Sequence, residues 1–307
     1  LALMLVGLPL LGVFWADKPL APYLQFPPQT RYVQHPDFSW WVFFGYAAAI
    51  VAVLIPLAMP VAKALRRTGS AVPATTFPWW GWIGVFTGLL SWLLAWTRFE
   101  WFAPLQPDTF TPLWISYILV VNAMTYRRTG RCLLTHRTGP FLILFPLSAM
   151  FWWFFEYLNR FVQNWYYIGP HHDAWSYFWS ATLPFSTVLP AVLSTRERLL
   201  AADWLQRAYR RFWTVPRFPA GITAGAVLLL AALGLAGIGI WPQRLFALLW
   251  LSPLLIVVSL QALRGERNIL SDLRRGDWTH VMASALAALM CGFFWELWNT
   301  GSLAHWE

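Results

Sequence analysis

Apolar residues run along this chain in nine blocks separated by short polar stretches. The blocks fall near 1–15, 40–62, 79–97, 112–126, 140–158, 178–193, 220–240, 244–263 and 279–298. A helix needs roughly 20 apolar residues to cross a bilayer, and the blocks approach that length once their flanking aromatics are included. The pattern predicts an all-α integral membrane protein with about nine transmembrane helices. No soluble domain is visible, so residues 1–307 read as a single polytopic membrane domain.

Three stretches modify that simple picture. Residues 16–39 carry Pro19, Pro22, Pro27 and Pro28 among Tyr23, Phe26 and Tyr32, which predicts a rigid, irregular cover at the membrane surface. Residues 194–215 predict a cytoplasmic interfacial amphipathic helix, capped by Ser194 or Thr195 and stopped by Pro216. Its apolar face would be Leu199, Leu200, Trp204, Leu205, Ala208 and Phe212, ringed by Arg198, Arg207, Arg210 and Arg211. Block 178–193 contains Pro184 and Pro190, which break the backbone ladder, and Ser186 and Thr187, whose hydroxyls can re-satisfy it. A broken helix is predicted there. Gly234, Gly237 and Gly239 read as small-residue helix packing.

Composition agrees with a bilayer setting. The chain is 58% apolar and 11% charged, whereas soluble domains are roughly half apolar and about a quarter charged. The net charge of +9 would by itself permit a nucleic-acid partner, but its distribution excludes one. With loops assigned alternately to two sides, 17 of the 22 Lys and Arg fall on one side. The positive-inside rule places that side, and the N-terminus, in the cytoplasm of a bacterial inner membrane. Basic loops are then topology determinants first and anionic-lipid contacts second. Eight of the 13 acids and four of the six His fall on the outer side, which is where chemistry is to be sought.

One motif on that side occurs twice. The first copy reads Phe154-Phe155-Glu156-Tyr157-Leu158-Asn159, then Asn164-Trp165. The second reads Phe294-Trp295-Glu296-Leu297-Trp298-Asn299, then His305-Trp306. Each sets a carboxyl one turn below an Asn at the end of an apolar helix. Carboxyls near hydrocarbon are costly, so Glu156 and Glu296 are candidate acid/base or cation-binding groups, with Asn159 and Asn299 orienting them or a ligand. Trp153, Trp165, Trp295 and Trp298, with Arg160, would line an aromatic pocket. The alternative is a pair of helix-end carboxyls held by Arg160 or by indole N–H groups. The surrounding segments predict an internal helical-hairpin repeat, about 140–193 and 279–307, the second copy truncated. A fainter third copy is Trp96-Thr97-Arg98-Phe99-Glu100-Trp101. The opening Leu1 and the stop at Glu307 inside the motif predict a longer native chain with ten or more helices.

His171, His172 and His305 are weak metal candidates. Adjacent His rarely share one ion, and a solvated polar loop is the favoured reading, so no metal or cofactor is assigned. Cys132 and Cys291 show no disulfide or metal spacing. No phosphate-cradling Gly loop, nucleophile elbow or paired-His zinc helix is present.

The run Trp153-Phe154-Phe155-Glu156-Tyr157-Leu158-Asn159, with Asn164-Trp165-Tyr166-Tyr167 and the later Leu-Pro-Phe, resembles a group of bacterial Trp-rich polytopic membrane proteins. That likeness carries no activity with it. More distantly, the repeated Glu and Asn in aromatic surroundings are similar to those of membrane lycopene cyclases, whose paired Pro-x-Glu-Glu motifs this chain lacks. The second likeness implies proton chemistry on an isoprenoid.

Three functions are therefore open. The first is binding of, or acid/base action on, an apolar isoprenoid, pigment or lipid-linked ligand in an outward-facing aromatic pocket. The others are a structural or assembly subunit of a membrane complex, and a proton-coupled transporter.

Overall fold

The structure, a computed structural model, describes residues 1–28, 30–66, 74–169, 173–215 and 220–307. Among the described residues the fold is all-α apart from one two-residue strand pair. The main helices are α1 (Ala2–Trp15), α2 (Trp40–Leu65), α3 (Trp79–Trp96), α4 (Phe110–Thr129), α5 (Thr138–Val162), α6 (Ala174–Ser186), α7 (Val188–Leu200), α8 (Asp203–Tyr209), α9 (Ala220–Ile240), α10 (Leu248–Leu263) and α11 (Thr279–Gly301). Strands β1 (Tyr167–Ile168) and β2 (His305–Trp306) pair antiparallel, Tyr167 opposite Trp306 and Ile168 opposite His305. Among the described residues, α2, α5, α9 and α11 are long and apolar enough to cross a membrane; α1 and α10 are shorter apolar helices.

The chain divides into two compact units. The first comprises residues 1–67, 155–164 and 207–278; the second comprises 68–154, 165–206 and 279–307. The expected repeat copy at 140–193 is divided between them.

In the first unit α1, α9 and α10 approach through small residues, as the glycine spacing predicts. A methyl group added at Gly12 would collide with the carbonyl of Ala236, and one at Gly239 would lie 2.5 Å from the carbonyl of Pro9. Gly234 faces Leu248 and Ser252 of α10. Lys18 Nζ donates to the carbonyls of Gly239 and Ile240, at 2.9 and 3.0 Å. Its charge thereby meets the negative end of the α9 dipole, although burial pushes its pKa down. In contrast α2 presents nearly all of its surface outward, with Ala64 its one buried residue.

In the second unit α3 packs on α4, α4 on α7, and α7 on α11. Polar side chains tie these helices together. Asn122 Nδ2 donates to Ser194 Oγ at 2.8 Å, and Tyr117 Oη lies 2.9 Å from Thr195 Oγ1. These contacts explain why 194–215 is not the single amphipathic helix expected. Ser194 and Thr195 are buried in α7 rather than capping a new helix, and α7 runs on to Leu200. The chain restarts at Asp203 and α8 ends at Tyr209, leaving one short helix of the amphipathic stretch.

The predicted interruption near the two prolines falls at Thr187, between α6 and α7. Thr187 Oγ1 donates to the Pro184 carbonyl at 2.7 Å and Ser186 Oγ to that of Leu183 at 2.6 Å. Ser148, from α5, completes the junction. Its hydroxyl donates to the Phe185 carbonyl at 2.5 Å and accepts the Leu189 N–H at 2.9 Å. A side-chain oxygen is thus inserted into what would be a helical rung.

Candidate functional site

Glu156 lies on the stretch of α5 that belongs to the first unit. Its neighbours along the chain are deeply buried, Leu158, Phe161 and Val162 completely so, and Glu156 itself is 4% exposed. Phe155 stacks on Trp250 with ring centres 4.6 Å apart, and Tyr157 Oη donates to the Val6 carbonyl at 2.5 Å. A carboxyl so far removed from solvent is expensive to keep ionised. Asn159, one turn on, accepts the Asn164 backbone N–H on Oδ1 at 2.9 Å. Arg160 donates to the Gln25 carbonyl, and its own carbonyl accepts from Tyr32 Oη.

The helix end is fastened to the Pro- and aromatic-rich segment by a residue that sequence reading overlooks. Gln163 follows α5 with φ +49°, left-handed backbone that disfavours most side chains. Its Oε1 accepts the N–H groups of Tyr32 and Val33, both at 2.9 Å, and its Nε2 donates to the Thr30 carbonyl at 2.8 Å. Tyr23 stacks on Phe161 at 5.1 Å and leans on Tyr32 at 4.8 Å. Burial pushes both phenols above their ordinary pKa. The rigid cover expected for 16–39 therefore holds on to α5 through Gln163, Arg160 and two tyrosines.

The second motif copy lies in the second unit and is built differently. Glu296 is exposed. Asn299 makes two 2.9 Å hydrogen bonds to one residue, donating from Nδ2 to the Trp306 carbonyl and accepting the Trp306 N–H on Oδ1. Trp295 and Trp298 anchor an aromatic cluster. Trp295 contacts Phe110, Trp114, Trp152 and Trp306 with ring centres 5.0–5.6 Å apart. Trp298 meets Trp114 edge-on at 5.1 Å. The indole N–H groups of Trp114 and Trp298 are buried without a hydrogen-bond acceptor. Trp153 stacks on Phe178 at 5.5 Å and donates from Nε1 to Thr182 Oγ1 at 2.9 Å. Trp165 is half-buried.

Glu156, Asn159 and Arg160 thus belong to one unit, and Glu296, Asn299 and the four tryptophans to the other. The third motif copy does not reproduce the arrangement. Helix α3 stops at Trp96, and Glu100 opens a 3₁₀ segment reaching Asp108, where Pro104 and Pro107 deny an α-helical ladder. His171 and His172 lie outside the described residues. His305 Nε2 is 3.8 Å from Glu307 Oε1, and no group of three or more metal-binding side chains occurs among the described residues.

The fold and the site together define an all-α, Trp-rich protein with, among the described residues, four helices long and apolar enough to cross a membrane. No family model, curated protein or solved structure matches the chain.

Proposed function

We propose that this chain is a multi-pass protein of a bacterial cytoplasmic membrane that holds an apolar isoprenoid or lipid-linked ligand at an outward-facing aromatic site. Glu156 is the group that gives or takes a proton there. The burial of Glu156 carries this reading. A helix-end carboxyl with only a local role can stay exposed, as Glu296 is. Glu156 occupies the same motif yet is 4% exposed, and desolvating it costs free energy. Such costs are characteristically retained where function requires them. The pair of carboxyls read from the sequence narrows to one, with Glu296 peripheral.

A second reading rests on α2, whose 26 residues expose an almost continuous apolar surface. In an assembly subunit that surface would be covered by other chains.

The test is mass spectrometry of the organic extract from the full chain purified in mild detergent. The expected result is one stoichiometric isoprenoid, pigment or glycolipid, retained by Glu296→Gln and lost or left unconverted by Glu156→Gln. Both variants should melt near the wild-type temperature. Bulk phospholipid alone in the wild type would overturn the ligand reading in favour of assembly. Full retention and conversion in Glu156→Gln would remove that residue from the mechanism.

A further inference from the structure

Two segments of the first unit, 207–215 and 264–278, run side by side in opposite directions. Trp278 donates its backbone N–H to the Tyr209 carbonyl at 2.9 Å, Phe212 to the Gly276 carbonyl at 2.8 Å, and Val215 to the Leu273 carbonyl at 3.2 Å. Trp278 Nε1 adds a 2.7 Å bond to the Trp213 carbonyl, and Phe212 stacks on Trp213 with ring centres 4.5 Å apart. Gly276 has φ +73°, and a methyl group there would lie 3.0 Å from the Phe212 carbonyl oxygen. The close crossing therefore favours glycine.

This ladder gathers cations. Arg210 and Arg211 fall between its first two bridges, Arg274 and Arg275 between the second and third, and all four are exposed. Asp272 pairs with Arg267 at 3.0 Å and also with Arg275. Arg210, Arg211 and Arg274 form no ion pair among the described residues. Seven arginines against three acids leave the two segments four charges positive. Like charges fixed on adjoining backbones repel, and an anionic surface facing them reverses that cost.

The ladder is also tied to α2, which is long and apolar enough to cross a membrane. Tyr209 Oη donates to the Leu57 carbonyl at 2.7 Å. Leu57 is eight residues before the end of α2 at Leu65, a rise of about 12 Å, and Lys63 lies in that last stretch. Trp213, two residues after Arg211, is exposed, and an exposed indole suits the headgroup level of a bilayer.

We propose that this ladder is a docking platform for anionic phospholipid headgroups, which Arg210, Arg211 and Arg274 engage with Trp213 seated among them. Exposed guanidinium groups reach headgroup phosphates without any opening in the fold, and each offers a forked edge to two oxygens. Anionic lipids are concentrated in the cytoplasmic leaflet, the side to which the charge distribution assigns these arginines. The proposal rests on the membrane setting of the function proposed above and on none of its ligand or proton chemistry. The two are read on different lipids, so either can fail alone.

The full chain in a mild nonionic detergent is examined by native mass spectrometry and thermal melting, with phosphatidylglycerol or phosphatidylcholine added. Phosphatidylglycerol should be retained in preference, raise the melting temperature and be released as salt rises. The combined variant Arg210→Gln, Arg211→Gln and Arg274→Gln should weaken it roughly a hundredfold, about fivefold for each arginine at low salt. Without lipid this variant should melt no lower than the wild type. A lower melting temperature would mean that the arginines hold the fold rather than a lipid, and would overturn the platform. Arg127→Gln, Arg131→Gln and Arg137→Gln together remove the same charge from exposed positions of the second unit and should weaken retention far less. Equal weakening by that control, or equal retention of phosphatidylcholine by the wild type, would reduce the effect to general attraction and overturn the site. An acidic protein that co-purifies in stoichiometric amount and is lost from the ladder variant, with no preference for phosphatidylglycerol, would replace the lipid with a protein partner.

Discussion

At the scale of single residues, the repeated Asn has a plainer job than its spacing to Glu implies. Asn159 and Asn299 each accept a backbone N–H from the segment that leaves their helix, Asn164 in one case and Trp306 in the other. Asn299 also donates to the Trp306 carbonyl, so its carboxamide imitates a backbone bridge. Asn299→Ala orphans both Trp306 groups and should cost about 1–3 kcal/mol. Asn299→Asp keeps the acceptor, loses the donor and should fall between the two. Denaturant unfolding in detergent measures this, and an Asp variant as stable as the wild type would refute the two-sided bridge. The paired motif was legible in the sequence because it is local. The contrast between buried Glu156 and exposed Glu296 was not, since burial depends on contacts from distant parts of the chain, such as those that Trp250 and Val6 make with the adjacent Phe155 and Tyr157.

At the scale of elements, hydropathy located most helices, and two prolines with two hydroxyl residues located the break at Thr187. The sequence could not disclose Ser148, because nothing local distinguishes a serine that fills a gap in a helix nearly 40 residues away. Ser148→Ala removes the oxygen between the Phe185 carbonyl and the Leu189 N–H. If the rung cannot close directly, the loss should be roughly 1–3 kcal/mol for each group left unmet. Unfolding of Ser148→Ala against the wild type decides it, and an unchanged stability would mean that α6 and α7 can straighten into one rung. The same non-local cause undid the amphipathic helix expected at 194–215. Ser194 and Thr195 carry the composition of an N-cap, yet Asn122 and Tyr117 engage them inside α7. Capping preference yields to tertiary partners when the side chain is buried.

At the scale of the whole molecule, the open quantity is how many times the chain crosses the membrane. The apolar blocks predict nine crossings, whereas among the described residues four helices meet the demand for length and hydropathy together. Asp108 discriminates between these counts. With nine crossings two helices separate it from Asp37, and the two residues share the outer side. With four, only α2 intervenes and they face opposite sides. Arg264 opposes Asp37 under either count. Asp37, Asp108 and Arg264 are all exposed, while the native Cys132 and Cys291 are 1% and 5% exposed, which keeps background labelling low. Asp37→Cys, Asp108→Cys and Arg264→Cys can therefore be probed one at a time in whole cells with a membrane-impermeant maleimide. The expected outcome is labelling of Asp37→Cys and Asp108→Cys in intact cells, and of Arg264→Cys only after permeabilisation. Protection of Asp108→Cys alongside Arg264→Cys would select the four-crossing count, with α3 and α4 packed on the cytoplasmic side. Labelling of Arg264→Cys alone would invert the orientation, and with it the side of the membrane from which a ligand reaches Glu156.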